Sequence, residues 1–164
     1  KKVMLVEGNA EYILMEKFFE MIHSKSPEDL NVSIISVDGL SFERYLEIAA
    51  CFIDKKVVVI TDNDSDYAGK VQSKYSSYQQ FQNIKVSSDL DNDNRTFEIC
   101  IYNNNKDLLD SFGLTKSKDL LGYMLREKTE FALRLLEKME TDYRSDEFII
   151  PDYIEEAIEW IIKD

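Results

Sequence analysis

Val57 to Asp66 reads V-V-V-I-T-D-N-D-S-D: four apolar, mostly β-branched residues that run straight into a cluster of carboxylates. A short continuous apolar run predicts a strand buried on both faces. Side chains alternate along a strand, so Asp62 and Asp64 are expected on one side. Paired carboxylates repel unless a proton or a cation neutralises them, and a hard divalent ion such as Mg²⁺ suits oxygen donors. The same residues are also good turn and N-cap chemistry and could simply lead into a helix at Tyr67. An EF-hand loop is excluded, because Tyr67 stands where its glycine belongs and Ser73 where its glutamate belongs. A second acidic position comes after another apolar run: K-V-M-L-V ends at Glu7-Gly8, and Glu11 lies on the first turn of the helix expected beyond it. An acid directly after a buried strand has little structural use, so Glu7 and Glu11 are expected to face one crevice.

The elements that must position these acids alternate. Strands are predicted at Lys2 to Val6, Asn31 to Val37, Val57 to Ile60 and Ile84 to Ser87. Helices are predicted over Ala10 to His23, capped by Asn9, over Phe42 to Ile53, capped by Ser41, and from Tyr67 to about Tyr78. Asp38-Gly39 reads as a turn, and Ser87 to Arg95 as polar and mobile. Thr96 to Tyr102 opens an ordered element that is either strand or helix. Lys106 to Phe112, Ser117 to Arg126, Lys128 to Glu140 and Pro151 to Lys163 read as helices, with Pro151 a start signal. Met4, Phe18, Phe131 and Trp160 read as core, and Tyr75 and Tyr78 as helix packing. This order predicts an α/β domain with right-handed crossovers and a mainly parallel central sheet flanked by helices. Ligands of such sheets gather beyond the carboxyl ends of the strands, where Glu7 and Asp62 would meet.

The 164 residues make one domain with a sizeable core, divided here into an α/β part at 1–103 and a helical C-terminal extension at 104–164 packed on it. With 20 basic and 32 acidic residues the net charge is −12, which argues against a free-standing nucleic-acid-binding patch. An acidic site that works only with metal is compatible with it, and any DNA grip would then come partly from another domain or subunit. No run is apolar enough to span a bilayer. Cys51 and Cys100 stand in apolar contexts outside any C-x-x-C pair, which predicts buried thiols and a cytoplasmic protein. His23 closes a helix and has no catalytic role. The chain opens at Lys1-Lys2 without Met, so a piece of a larger protein is expected.

V-E-G after a first strand and D-x-D after a third resemble Toprim domains. The ordered set resembles one branch, the OLD (overcoming lysogenization defect) nucleases, including the related Gabija defence nuclease. That set is L-V-E-G-N-A-E, I-I-S-V-D-G, V-V-V-I-T-D-N-D, T-F-E at Thr96 to Glu98, Lys128-Thr129-Glu130-Phe131-Ala132, and the closing I-P-D-Y-I-E-E-A-I. Phe97 replaces the leucine of the family's T-L-E.

The resemblance implies metal-dependent hydrolysis of DNA phosphodiesters by an endonuclease or nickase, with two ions, Mg²⁺ or Mn²⁺, about 4 Å apart. It implies Glu7, Glu11, Asp62, Asp64 and Glu98 as ligands, with Glu7 and Asp62 nearest the reacting phosphate, and Lys128 stabilising phosphate charge. Asp66 is expected to be a helix N-cap or a group in the outer shell of the metals, and Ser36 and Ser87, which follow strands, to hold a metal-bound water. The family also implies an N-terminal ABC-type ATPase domain through which a homodimer forms. This chain has no G-x-x-x-x-G-K-[ST], so that domain lies outside it. The alternative is a Toprim or receiver-like Mg²⁺-binding module without nuclease activity.

Overall fold

The computed structural model describes residues 2–38 and 41–163, which leaves Gly39 of the expected Asp38-Gly39 turn outside the described residues. Four parallel strands, β1 (Lys2–Val6), β2 (Val32–Ser36), β3 (Val57–Ile60) and β4 (Ile84–Ser87), form one sheet in the order β2-β1-β3-β4. Val6 pairs with Ser36 and Ile60 with Ser87, so the strands stop almost level. The chain winds one way from β1 to β2 and the other way from β3 to β4. The switch in direction therefore lies between β1 and β3, the place where ligands settle in such sheets. Glu7 and Thr61-Asp62 are the next residues along those two strands.

Both faces are covered, as the apolar runs predict. Met4, Val6, Val58 and Ile60 point to one face and pack with α1 (Asn9–His23), α3 (Phe97–Phe112), α5 (Lys128–Thr141) and α6 (Asp152–Ile162). Leu5, Val57 and Val59 point to the other and pack with α2 (Phe42–Cys51) and with Val71 and Tyr75. The short α4 (Leu120–Arg126) leads into α5. Met4, Phe18 and Phe131 are fully buried, and Trp160 is partly buried against the same core.

Several local expectations change. Thr96 to Tyr102 is helical: the Thr96 hydroxyl accepts from Ile99 N (3.4 Å), and α3 then runs to Phe112 with a kink at Asn105. Asn9 is the first residue of α1 rather than its cap, and the cap is the extended Gly8. The helix expected from Tyr67 to Tyr78 breaks into a π-helical segment, Tyr67–Ser73, and a 3₁₀ turn, Ser76–Tyr78. Asp66 caps that segment as expected, accepting from Gly69 N at 3.0 Å. A Cβ on Gly69 would sit 2.3 Å from Asp66 Oδ2, so a side chain there would make the cap's carboxylate shift. The helix expected from Ser117 starts later, at Leu120, because the Asp119 side chain caps it. Cys51 is exposed on α2, so of the two thiols only Cys100 is buried.

The Ser87 to Arg95 stretch is tied down rather than mobile. Asn63, 1% exposed, donates its amide to the carbonyls of Asp89 (2.9 Å), Asp91 (2.8 Å) and Asn94 (3.4 Å). Asp89 and Asp91 each accept a backbone N–H two residues on, at 2.8 and 2.9 Å. Its acids are thus spent on turn chemistry.

Candidate functional site

The site is the carboxyl edge of β1 and β3. Glu7 Oε2 accepts from Asp62 N (3.1 Å) and from the Thr61 hydroxyl (3.2 Å), which ties the two strand ends together. Asp62 Oδ1 accepts from Phe97 N (2.8 Å) at the start of α3. That bond seats Asp62 at a helix N-terminus, where a carboxylate is favoured. It also explains the Thr-Phe-Glu order: Thr96 caps, Phe97 is buried as an anchor, and Glu98 is delivered inward, fully buried. Glu11, on the first turn of α1, is 6% exposed. Glu7, Glu11, Asp62 and Glu98 therefore come from four different segments and lie near enough to sense one another's charge.

Electrostatics follow from that crowding. Burial, then the charges of Glu98 and Glu7, pushes Glu11 up to about 7, while its own backbone N–H pulls the other way. Burial, then the charges of Glu7, Glu11 and Glu98, pushes Asp62 up to about 8, against the Phe97 N–H. One cation answers them. Lys128 Nζ, at the start of α5, stands 3.0 Å from Glu98 Oε2 in an ion pair, and both Glu98 oxygens are buried without a hydrogen-bond partner. The Lys128 ammonium is held above its usual range, burial working against the attraction of Glu98, Asp62 and Glu11.

Asp64 reaches the site by another route. β3 ends at Ile60, so strand alternation does not extend to it. Instead Asp64 and Ser65 turn through the left-handed region (φ 50° and 65°), and Asp64 N donates to Arg95 O at 3.1 Å. Asp64 is exposed and shares a cleft of about 210 Å³ with Glu7, Asp62, Ser41, Lys70 and Lys74. A larger hollow of about 510 Å³ beside β4 holds Ser88 and Asp89 but none of these carboxylates. Ser87 is committed elsewhere, donating to Tyr153 O at 2.7 Å, whereas the Ser36 hydroxyl is buried and unpartnered. Tyr75 is buried in the core of the α2 face, and Tyr78 is partly buried beside it.

Three useful residues escaped the sequence reading. Asn63 looked like filler within D-N-D, and only its strap to residues 89–94 reveals its role. Lys70 and Lys74 are recognisable only once the broken helix turns them toward the acids.

Oxygen donors of this kind suit a hard divalent cation. Glu98, fully buried and met by Lys128 alone among the described residues, and the raised Glu11 and Asp62 mark a local shortage of positive charge, so the donor set fits such an ion. As placed, no three of the acids, cysteines or histidine among the described residues already enclose one.

A four-stranded parallel sheet with acids at the switch between β1 and β3 fits a Toprim-type α/β fold. Residues 1–64 match the family model described as overcoming lysogenization defect protein-like, TOPRIM domain. The C-terminal region of the Xanthomonas campestris pv. campestris OLD protein is similar in structure, with 20% identity and a TM-score of 0.65, covering 98% of this chain and 93% of that one. The C-terminal region of the Burkholderia pseudomallei OLD protein is similar too, with 20% identity and a TM-score of 0.55, covering 98% and 96%. At such identity the likeness is one of fold. No curated protein sequence matches the chain. No helix among the described residues is long and apolar enough to cross a membrane.

Proposed function

We propose that this domain is a metal-dependent endodeoxyribonuclease that nicks DNA, with Mg²⁺ or Mn²⁺ held by Glu7, Glu11, Asp62, Asp64 and Glu98. The observation that carries the reading is the burial of Glu11 and Glu98 beside the half-buried Asp62, with Lys128 paired to Glu98, at the switch point of the sheet. Two bound ions would supply charge neutralisation and a nucleophile at neutral pH. The chain's own part is placement. Glu7 is fixed by Thr61 and Asp62 N, and Asp62 by the start of α3. Lys128 offers a point charge to a phosphate once Glu98 has another partner. Burial and neighbouring charge raise the proton affinity of Glu11 and Asp62, so a bound cation would compete with protons there.

The parts 1–103 and 104–164 act as one unit in this reading, since α3 crosses the division and α5 and α6 share the core beneath α1. We place the domain after an ABC-type ATPase domain that dimerises, in a cytoplasmic protein of phage defence. The similar solved structures are themselves C-terminal regions of OLD proteins.

Supercoiled-plasmid cleavage with Mg²⁺, Mn²⁺ or EDTA, beside Glu7→Ala and Asp62→Ala, tests the reading. Metal-dependent nicking lost in both variants is the expected result. A second reading is a Toprim or receiver-like Mg²⁺-binding module without nuclease activity of its own, which the same acids at the switch of the sheet would serve. Cation binding without cleavage, also when the domain is joined to its ATPase, would select it.

A further inference from the structure

The wall of the cleft opposite the acids is cationic. Lys70 and Lys74 both line it, facing a floor made by Glu7, Asp62 and Asp64. Their spacing is set by the π-helical segment, in which Lys74 N donates to Gly69 O five residues back, at 3.3 Å. Lys74 Nζ rests 5.0 Å from the ring centre of Tyr75, which is itself 3% exposed, so its stem lies on a fixed platform. Neither lysine is in an ion pair among the described residues, although acids share their cleft. Ser41 and Phe42 form the lip of the same cleft, and there the amino end of α2 is met by its own acid: the Ser41 hydroxyl accepts from Glu43 N at 3.3 Å and donates to Glu43 Oε2 at 3.1 Å. What attracts an anion is therefore the pair of ammonium groups on one wall, neither held in an ion pair among the described residues. The acids on the floor repel one unless it arrives with cations.

We propose that Lys70 and Lys74 grip backbone phosphates of duplex DNA flanking the one held over Glu7 and Asp62. The inference rests on the nuclease reading and adds the contact that orients its substrate. It places part of the DNA grip within a chain of net charge −12. A duplex backbone fits because a row of equally spaced anions can touch the wall and the floor together, and phosphate contacts set position without reading sequence.

The test is duplex binding by fluorescence anisotropy across a salt series. Ca²⁺ replaces Mg²⁺ to keep the DNA intact, and the whole chain is compared with Lys70→Gln/Lys74→Gln. A control with the same charge change, Lys106→Gln/Lys116→Gln, removes two exposed lysines away from the cleft. The expected result is about tenfold weaker binding at low salt for the cleft pair, and a log–log salt slope shallower by about 2, with the control near the parent. Equal weakening in both pairs, an unchanged slope, or no duplex binding by the parent overturns the proposal. Stronger binding of single-stranded RNA than of duplex, with the same lysine dependence, also overturns it. Thermal melts of each variant separate loss of fold from loss of contact. Plasmid nicking run in parallel separates the two claims. Cleavage with no lysine dependence of binding sinks only the grip, and lysine-dependent binding without cleavage under any metal sinks only the nuclease.

Discussion

On the α1 and α3 side of the acidic site, Glu11 is 6% exposed and Glu98 fully buried. On the α2 side, Asp64, Lys70 and Lys74 stand in solvent. The two halves meet at Glu7 and Asp62. In the inner half, charge is crowded, poorly screened and answered by Lys128 alone, so burial raises Glu11 and Asp62. In the outer half water screens every charge, and acids and lysines face each other without pairing. Like charges buried together persist only where something else needs them, because the same volume filled with apolar side chains would be more stable. On the proposed nuclease reading, the inner half would hold the cations and the outer half would be the approach by which the polyanion enters.

The largest effect expected is at the junction. Asp62→Ala removes the acid that both halves share and frees the start of α3. Plasmid nicking is expected to fall at least about a thousandfold, roughly 4 kcal/mol of transition-state stabilisation. Asp64→Ala, in the outer half, is expected to lose far less. If the two variants lost the same, the division into halves would fail.

Proton linkage sharpens the comparison without any DNA. Glu11 and Asp62 are raised from 4.5 to about 7 and from 3.8 to about 8. Acids raised on folding stabilise the fold at low pH and lose that contribution as pH climbs through the raised values. Metal-free protein is thus expected to lose on the order of 3 kcal/mol between mildly acidic pH and about 8.5, or roughly 10 °C in Tm. The two groups titrate as a coupled pair, so the loss spreads over the whole window. Millimolar Mg²⁺ should shrink the drop, and so should Glu11→Gln, whereas Asp64→Asn should leave it intact. Calorimetry across the pH series with EDTA and with Mg²⁺ reads this directly.

How much of this was legible follows the same divide. The four strands and Glu7, Glu11 and Asp62 could be read because apolar runs that end in acids are local patterns. Whether Thr96 to Tyr102 was strand or helix could not, because the choice turns on a cap and on a bond from Asp62, 35 residues away. The break after Ser73 was invisible too. Residues 67–78 hold a fair helical pattern, and nothing in it marks the π segment that the structure shows over Tyr67–Ser73. Lys70 and Lys74 were lost with it, since a regular helix gives no reason to turn them toward β3. The mobility expected of residues 87–95 failed because composition cannot reveal a single amide that satisfies three carbonyls.

That amide supplies the next prediction. Asn63→Ala leaves the carbonyls of Asp89, Asp91 and Asn94 without their shared donor behind the site. Orphaning such groups is expected to cost about 2 kcal/mol. Because Asp64 N and Tyr67 N also bond to this stretch, through Arg95 O and Asn92 Oδ1, loosening should spread to the outer half first. Hydrogen exchange is expected to rise over residues 64–70 and 89–95 while α1 and α3 stay protected. Uniform deprotection would show that the halves do not move independently.

The smallest effect separates position from stability. Asp66→Ala removes the cap on the π segment, a change expected to cost about 1 kcal/mol. Its carboxylate lies on the outer half but is turned to Gly69 N rather than lining the cleft with Asp64. If Lys70 and Lys74 depend on that segment for their aim, Asp66→Ala should weaken duplex binding severalfold while shifting Tm by only about 3 °C. Asp66→Asn, which can still accept from Gly69 N, should restore most of the binding. If both variants instead bound duplex as tightly as the parent or more tightly, the loss of negative charge at Asp66 would outweigh the cap. The outer half would then be an electrostatic surface, without the fixed geometry that the π segment imposes.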